Sequence, residues 1–474
     1  MVCCCYINTS GSYVNLQQEI KATEVLLAKD VRKARRTYNI ARRMHYRKRF
    51  GRFVGILGPG VVTGAADDDP SGIATYSQAG AAFGTGLLWT FPLMLPLLIA
   101  VQESCSRIGA VTGKGLASIL KENYSKKLLY SALALIVVAN TINIGSDLGA
   151  MAASTKLIFS GVPFSVLAIF FAVLMVLMEI FVSYKDYVRA LKWIALVLFA
   201  YPITALLIGQ PWLHLLHETF LPHPIINFTT IYIIVGMLGT TISPYMFFWD
   251  TSEVVEDEIV SRRIRATGQL PHVTKHFLRG VKLDNLVGMA FAAVTAWFIV
   301  VVCASVLFTH GITNINTASD AAQALQPLVK NFPNAGLIAK LLFSIGVVGI
   351  GFLAVPVLAG SSSYAISETL GWKEGLHQKF RRAHGFYLVI AGATFVGLLI
   401  NFLGIDPIKA LVFTAVFNGI AAVPLLWMLV KVGNNAKIMG EYKNSRLSST
   451  MIHITFSIMA VSVLVLFYSI LAAK

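Results

Sequence analysis

The sequence predicts an all-α polytopic membrane protein of about eleven transmembrane helices, built as a 5+5 inverted repeat plus one extra helix, N-terminus cytoplasmic. Three observations carry this. Of 474 residues, 56% are hydrophobic and 13% charged, where a soluble domain has about 25% charged. The apolar residues gather in runs of about 20, the length that crosses a bilayer as helix, whereas barrel strands alternate in shorter, weaker segments. Two of these runs, the first and the sixth, are interrupted by proline beside polar residues, five spans apart. Discontinuous helices at matching places in two inverted halves are the mark of secondary transporters.

In chain order, a basic arm, 1–52, precedes the first span, 53–82, which is broken at Asp69-Pro70-Ser71-Gly72. Spans follow at 87–108, with Pro92 and Pro96 expected to kink it, and at 128–159, 163–182 and 191–208. These five form the first repeat, 53–209. The second, 210–430, opens with an outward loop holding Trp212, His214, His217 and His223 and no Lys or Arg. Its spans are 231–254, broken at Gly239-Thr240-Thr241-Ile242-Ser243-Pro244, then 286–308, 341–366, 386–403 and 410–430. Residues 431–474 supply a cytoplasmic loop and the extra span, 452–472. An odd count puts the C-terminus outside.

The formal charge of +16 invites a nucleic-acid reading, but the charge is one-sided. All but five of the 39 Lys and Arg fall on the N-terminal side of the membrane; Lys156, Lys330, Lys340, Lys409 and Lys474 face the other. That is the positive-inside pattern. The arm, rich in Arg32, Lys33, Arg35, Arg36 and Arg42, is expected to rest on anionic lipid headgroups. No nucleic-acid partner is expected. Cys3, Cys4 and Cys5 open the chain, Cys105 and Cys303 lie in or beside spans, and no disulfide framework follows. Residues 1–20 do not read as a signal peptide.

Asp67, Asp68 and Asp69 stand in an apolar span directly before Pro70. Carboxylates there are costly and mark an ion or substrate path. Proline frees backbone carbonyls, which with acidic oxygens are hard ligands for a hard cation. Successive residues lie about 100° apart around a helix, so Asp69 is expected to bind and a neighbour to line the approach. Pairing with an interior Lys or Arg is the weaker alternative, since no interior span holds one. At the sixth-span break, Thr240, Thr241 and Ser243 offer hydroxyls or carbonyls; alone they would be read as back-bonded to their own helix. Opposite the acidic break they read as the other half of a cation site, with Ser71 and Gly72. No His lies mid-span, so the set is all oxygen and suits magnesium, calcium or manganese. Small residues leave room for a partly hydrated ion. A membrane metalloenzyme, which usually needs His, is disfavoured, and no cofactor is expected.

Gly58-Pro59-Gly60, Asp69-Pro70-Ser71-Gly72-Ile73-Ala74-Thr75 and Gln78-Ala79-Gly80-Ala81 resemble the first-helix signature of the NRAMP divalent-metal transporters. Arg107 to Leu116 looks like that family's second-to-third-helix loop, and Ala359-Gly360-Ser361-Ser362-Ser363 is similar to its eighth-helix pattern. The resemblance implies a LeuT-type fold and import of divalent cations by alternating access. Where the family reads Asp-Pro-Gly-Asn, the asparagine position here is Gly72. Where it reads Ala-x-x-Met-Pro-His, this chain has Thr240-Thr241-Ile242-Ser243-Pro244-Tyr245. The thioether ligand has become Ser243, and the histidine tied to proton movement has become Tyr245. The family's third-helix acidic pair falls near Thr141 and Ile144. These departures resemble the NRAMP-related magnesium transporters, which implies uptake of magnesium, and also manganese, without proton coupling. A proton-coupled manganese or iron symporter is the alternative, and Asp147 is the residue that keeps it open. Asp147 either replaces a lost proton acceptor or satisfies a neighbour such as Asn143, the second being favoured. Asn418 either faces the site or makes an interhelical hydrogen bond, again the favoured reading. Glu103 and Glu179 are expected to reach the interface, and Asn227-Phe228-Thr229 is a sequon. The expected location is the plasma membrane, the inner membrane of a bacterium.

Overall fold

The computed structural model describes residues 69–182, 196–221, 227–330 and 334–472. The basic arm, Cys3 to Cys5, Asp67, Asp68 and the opening of the fifth span lie outside the described residues. The α-helices of eight or more described residues are α1 (Pro70–Phe83), α2 (Thr90–Thr112), α3 (Leu116–Asn123), α4 (Lys126–Lys156), α5 (Phe164–Phe181), α6 (Ala200–Ile208) and α7 (Trp212–Phe220). They continue with α8 (Phe228–Thr241), α9 (Pro244–Val260), α10 (Lys275–Val306), α11 (Ala335–Leu370), α12 (His384–Ile400), α13 (Pro407–Gly433) and α14 (Arg446–Ala472). Among the described residues, nine helical stretches are long and apolar enough to cross a membrane, α8 and α9 counting as one. Of the first and fifth spans, the described residues include α1 and, after a 3-10 turn at Leu196–Phe199, α6.

α1 and α9 both begin where proline dictates. Asp69 is the N-cap of α1, accepting from the Gly72 N–H at 2.8 Å, and Pro70 takes the first helical position, where a missing N–H costs nothing. α8 stops at Thr241, Ile242 departs from helical angles, and Pro244 starts α9. Pro92 lies in the first turn of α2, where no kink is required; Pro96 is the interior one. The stretch Arg107–Thr112 is still helix: α2 ends only at Gly113, and the connection to α3 is short.

The broken pair α8–α9 sits at the centre and α14 at the rim. In the most apolar window of Phe228–Val260, 83% of residues are buried inside the protein, against 22% for α14. Trp249, Tyr245, Phe247 and Phe248, all on α9, are among the largest fully buried side chains. α8 and α13 meet backbone to backbone: a Cβ on Gly239 would lie 2.1 Å from the Ala415 carbonyl oxygen, and one on Gly419 2.6 Å from that of Val235. Small residues allow helices in lipid to approach this closely.

Candidate metal-ion site

Asp69 is fully buried, and its carboxylate joins three helices. Oδ1 accepts from Ser71 Oγ at 2.6 Å and from the Gly72 N–H, with Thr240 Oγ1 of α8 at 3.4 Å. Oδ2 accepts from Asn143 Nδ2 of α4 at 2.9 Å. Ser71 Oγ and Thr240 Oγ1 are 3.4 Å apart. The two breaks therefore meet, and Asp69, Ser71, Gly72 and Thr240 form one cluster. Gly72 is what lets them close: a Cβ there would stand 3.1 Å from Thr240 Oγ1.

Thr241 and Ser243 are turned elsewhere. The Thr241 hydroxyl donates to the Met237 carbonyl at 2.6 Å and pairs with Tyr76 OH at 2.7 Å, with Met94 Sδ at 3.9 Å. Ser243 Oγ donates back to the Thr240 carbonyl at 2.5 Å, so it closes the break rather than pointing at Asp69. Tyr245 is buried, and its carbonyl accepts from Ser361 Oγ of α11 at 2.8 Å. The eighth-span serines thus stitch helices together: Ser362 Oγ accepts from Asn140 at 3.0 Å, and Ser363 donates to the Phe386 carbonyl at 2.6 Å.

Two expected partnerships do not form. Asp147 does not satisfy Asn143, whose amide goes to Asp69; both Asp147 oxygens are buried without a hydrogen bond. Asn418 makes no interhelical bond: it is fully buried and both amide atoms lack a partner. Glu103 does not reach the interface but pairs with Arg107 and accepts from Ser448, and Glu179 is buried. Asn227 of the sequon caps α8, accepting from the Thr230 N–H at 2.8 Å. Asn143 is the residue whose role escaped the sequence reading. Its signal was present, since Asn140, Asn143 and Asp147 recur at helical spacing and share a face of α4.

Among the described residues, no three His, Cys, Asp or Glu side chains are grouped as a ready metal site. The cluster instead offers one carboxylate, two hydroxyls, a carboxamide and the carbonyls of a broken helix. These are hard oxygens, able to hold a hard ion that keeps part of its water.

A family model described as natural resistance-associated macrophage protein-like matches residues 60–469. The chain belongs to the NRAMP family. It is 24% identical over 406 residues to the divalent metal cation transporter MntH of Caldanaerobacter subterraneus, covering 84% of this chain and 89% of that one. It is 25% identical over 423 residues to MntH 1 of Pseudomonas aeruginosa, covering 87% and 91%. Among solved structures, the manganese transporter of Eremococcus coleocola superposes with a TM-score of 0.67 at 16% identity, over 88% of this chain and 86% of that one. MhsT in complex with L-phenylalanine gives 0.55 at 12% identity, over 86% and 98%. The fold is thus the all-helical LeuT-type transporter fold, and the protein is a multi-pass membrane transporter.

Proposed function

We propose that this NRAMP-family divalent-metal transporter of the bacterial plasma membrane imports magnesium, and manganese beside it, by alternating access and without proton coupling. The observation that carries the reading is the donor set around Asp69. Ser71, Thr240, Asn143 and the Gly72 N–H surround it, with no sulfur or imidazole among these contacts. Such a set favours magnesium and manganese over softer ions. Manganese is also the ion named for the Eremococcus coleocola protein. An inside-negative potential suffices to drive import, supplying about 4.6 kcal/mol per doubly charged ion across 100 mV.

The test is flux into proteoliposomes carrying an interior pH probe, with magnesium uptake competed by manganese, calcium and cadmium. Magnesium entry driven by potential at constant interior pH upholds the proposal. One observation favours a second reading, a proton-coupled manganese or iron symporter: Asp147 holds a buried carboxylate with no hydrogen bond, one turn of α4 from Asn143. Interior acidification that tracks metal entry, lost in Asp147→Asn, would decide for it.

A further inference from the structure

A second polar cluster lies at the interface of α2, α9 and α10, away from Asp69. Two contacts set the register of α2 against the broken pair. Met94 Sδ approaches Thr241 Oγ1 beside the break, and Ser106 Oγ donates to Asp250 Oδ2 at 2.5 Å further along both helices. α2 and α9 therefore run in the same direction, away from the break. Gln102, one turn before Ser106 on the same face of α2, stands at a level between the break and Asp250.

The groups gathered here are poorly satisfied. Asp250 is fully buried, its Oδ1 has no hydrogen-bond partner, and among the described residues no Lys or Arg pairs with it. Gln102 is also fully buried, and neither Oε1 nor Nε2 has a partner. Asn285 of α10 donates to Ser106 Oγ at 2.7 Å and approaches the Gln102 carbonyl at 3.3 Å. Asp284, its neighbour in sequence, is buried and within electrostatic reach of Asp250. A carboxylate enclosed in a bilayer span without a balancing cation is costly, and it marks an ion path by default.

We propose that Asp250 Oδ1 and Gln102 Oε1 form a second divalent-cation station on the cytoplasmic half of the protein, two turns of α9 beyond the break. This rests on reading the chain as a cation carrier. A carboxylate and a carboxamide oxygen suit the same hard ions as the Asp69 cluster. Ser106, itself held by Asn285, pins Oδ2 and leaves Oδ1 for the ion, the way outer partners orient a ligating carboxylate. Asp284 adds negative potential without needing to touch the ion.

Binding rather than flux tests this, with Mn2+ as probe and the full chain in lipid nanodiscs, read by equilibrium dialysis and electron paramagnetic resonance. The wild type is expected to hold two ions, Asp69→Ala one, Asp250→Asn one, and the double variant none. Gln102→Leu leaves both carboxylates in place and is expected to weaken the second ion about tenfold while leaving the first unchanged. It also decides the matter should Asp250→Asn fail to fold. Loss of all binding in Asp69→Ala, or two ions retained by Asp250→Asn, overturns the station and leaves the cluster a packed structural knot. If Asp69→Ala still holds two ions and Asp250→Asn loses one, the station stands and the assignment of Asp69 falls instead.

Discussion

At the residue scale, Asp69 does two jobs that can be separated. It caps α1, and it brings a carboxylate to the place where α1 and α8 meet. Asp69→Ala is expected to abolish uptake, and loss of the cap adds about 1 kcal/mol of destabilisation. Asp69→Asn keeps a cap acceptor but not the charge. Near-normal melting with no magnesium flux in that variant is therefore the expected signature of a ligand; full flux would remove Asp69 from the site. Gly72 and Thr240 form a second pair. The 3.1 Å gap between a Cβ on Gly72 and Thr240 Oγ1 predicts that Gly72→Asn alone disturbs the break, whereas Gly72→Asn with Thr240→Ala is tolerated better. A double-mutant cycle on thermal stability should show that coupling.

At the scale of elements, the two breaks can face each other only because α8 lies against α13 without side chains between them. Gly239→Ala places a methyl group 2.1 Å from the Ala415 carbonyl oxygen and is expected to destabilise by about 1–3 kcal/mol, read as a lowered melting temperature in detergent. The connection between α11 and α12 is pinned to α9 by Glu256. That carboxylate accepts from Tyr364 OH and from the Leu376 N–H at 2.6 Å, and lies 3.4 Å from His377 Nδ1. Hydrogen bonding to Glu256 raises the His377 pKa above its ordinary 6.5. Burial, with Glu368 and Glu256 nearby, pushes Glu374 up to about 10. A histidine with a raised pKa stabilises the fold fully below its ordinary value, and that contribution is lost as pH rises through the raised one. His377→Ala should lower the melting temperature below pH 6.5 and change nothing well above it. An equal loss at both ends of the range would mean the contact is not ionic.

At the scale of the whole molecule, the central place of α8–α9 and the peripheral place of α14 fit a carrier whose moving parts surround the broken pair. Clamping the potential at zero in proteoliposomes should therefore stop net magnesium uptake at equal concentrations, while collapsing a pH gradient should leave it untouched. Saturation of the flux would set the protein apart from a channel. The contacts around Asp69 were only half legible beforehand. Asp69, Ser71, Gly72 and Thr240 could be read because proline in an apolar run announces a break and a carboxylate beside it announces an ion. Thr241 and Ser243 could not be told apart from Thr240. Their hydroxyls go to Tyr76 and to the Thr240 carbonyl, and the side of a helix a residue faces after a break depends on how the chain resumes.

What the amino-acid order determined by itself was the class of protein and the places where α1 and α9 begin at proline. Composition reports membrane burial directly, and proline interrupts a helix wherever it stands. Which polar groups meet was decided by tertiary structure alone. Asn143 reaches Asp69 across 74 residues while Asp147, on the same face of α4, bonds nothing. Such pairings depend on the rotation and register of whole helices, and those follow from contacts like Gly239 on Ala415 that no local stretch of sequence contains.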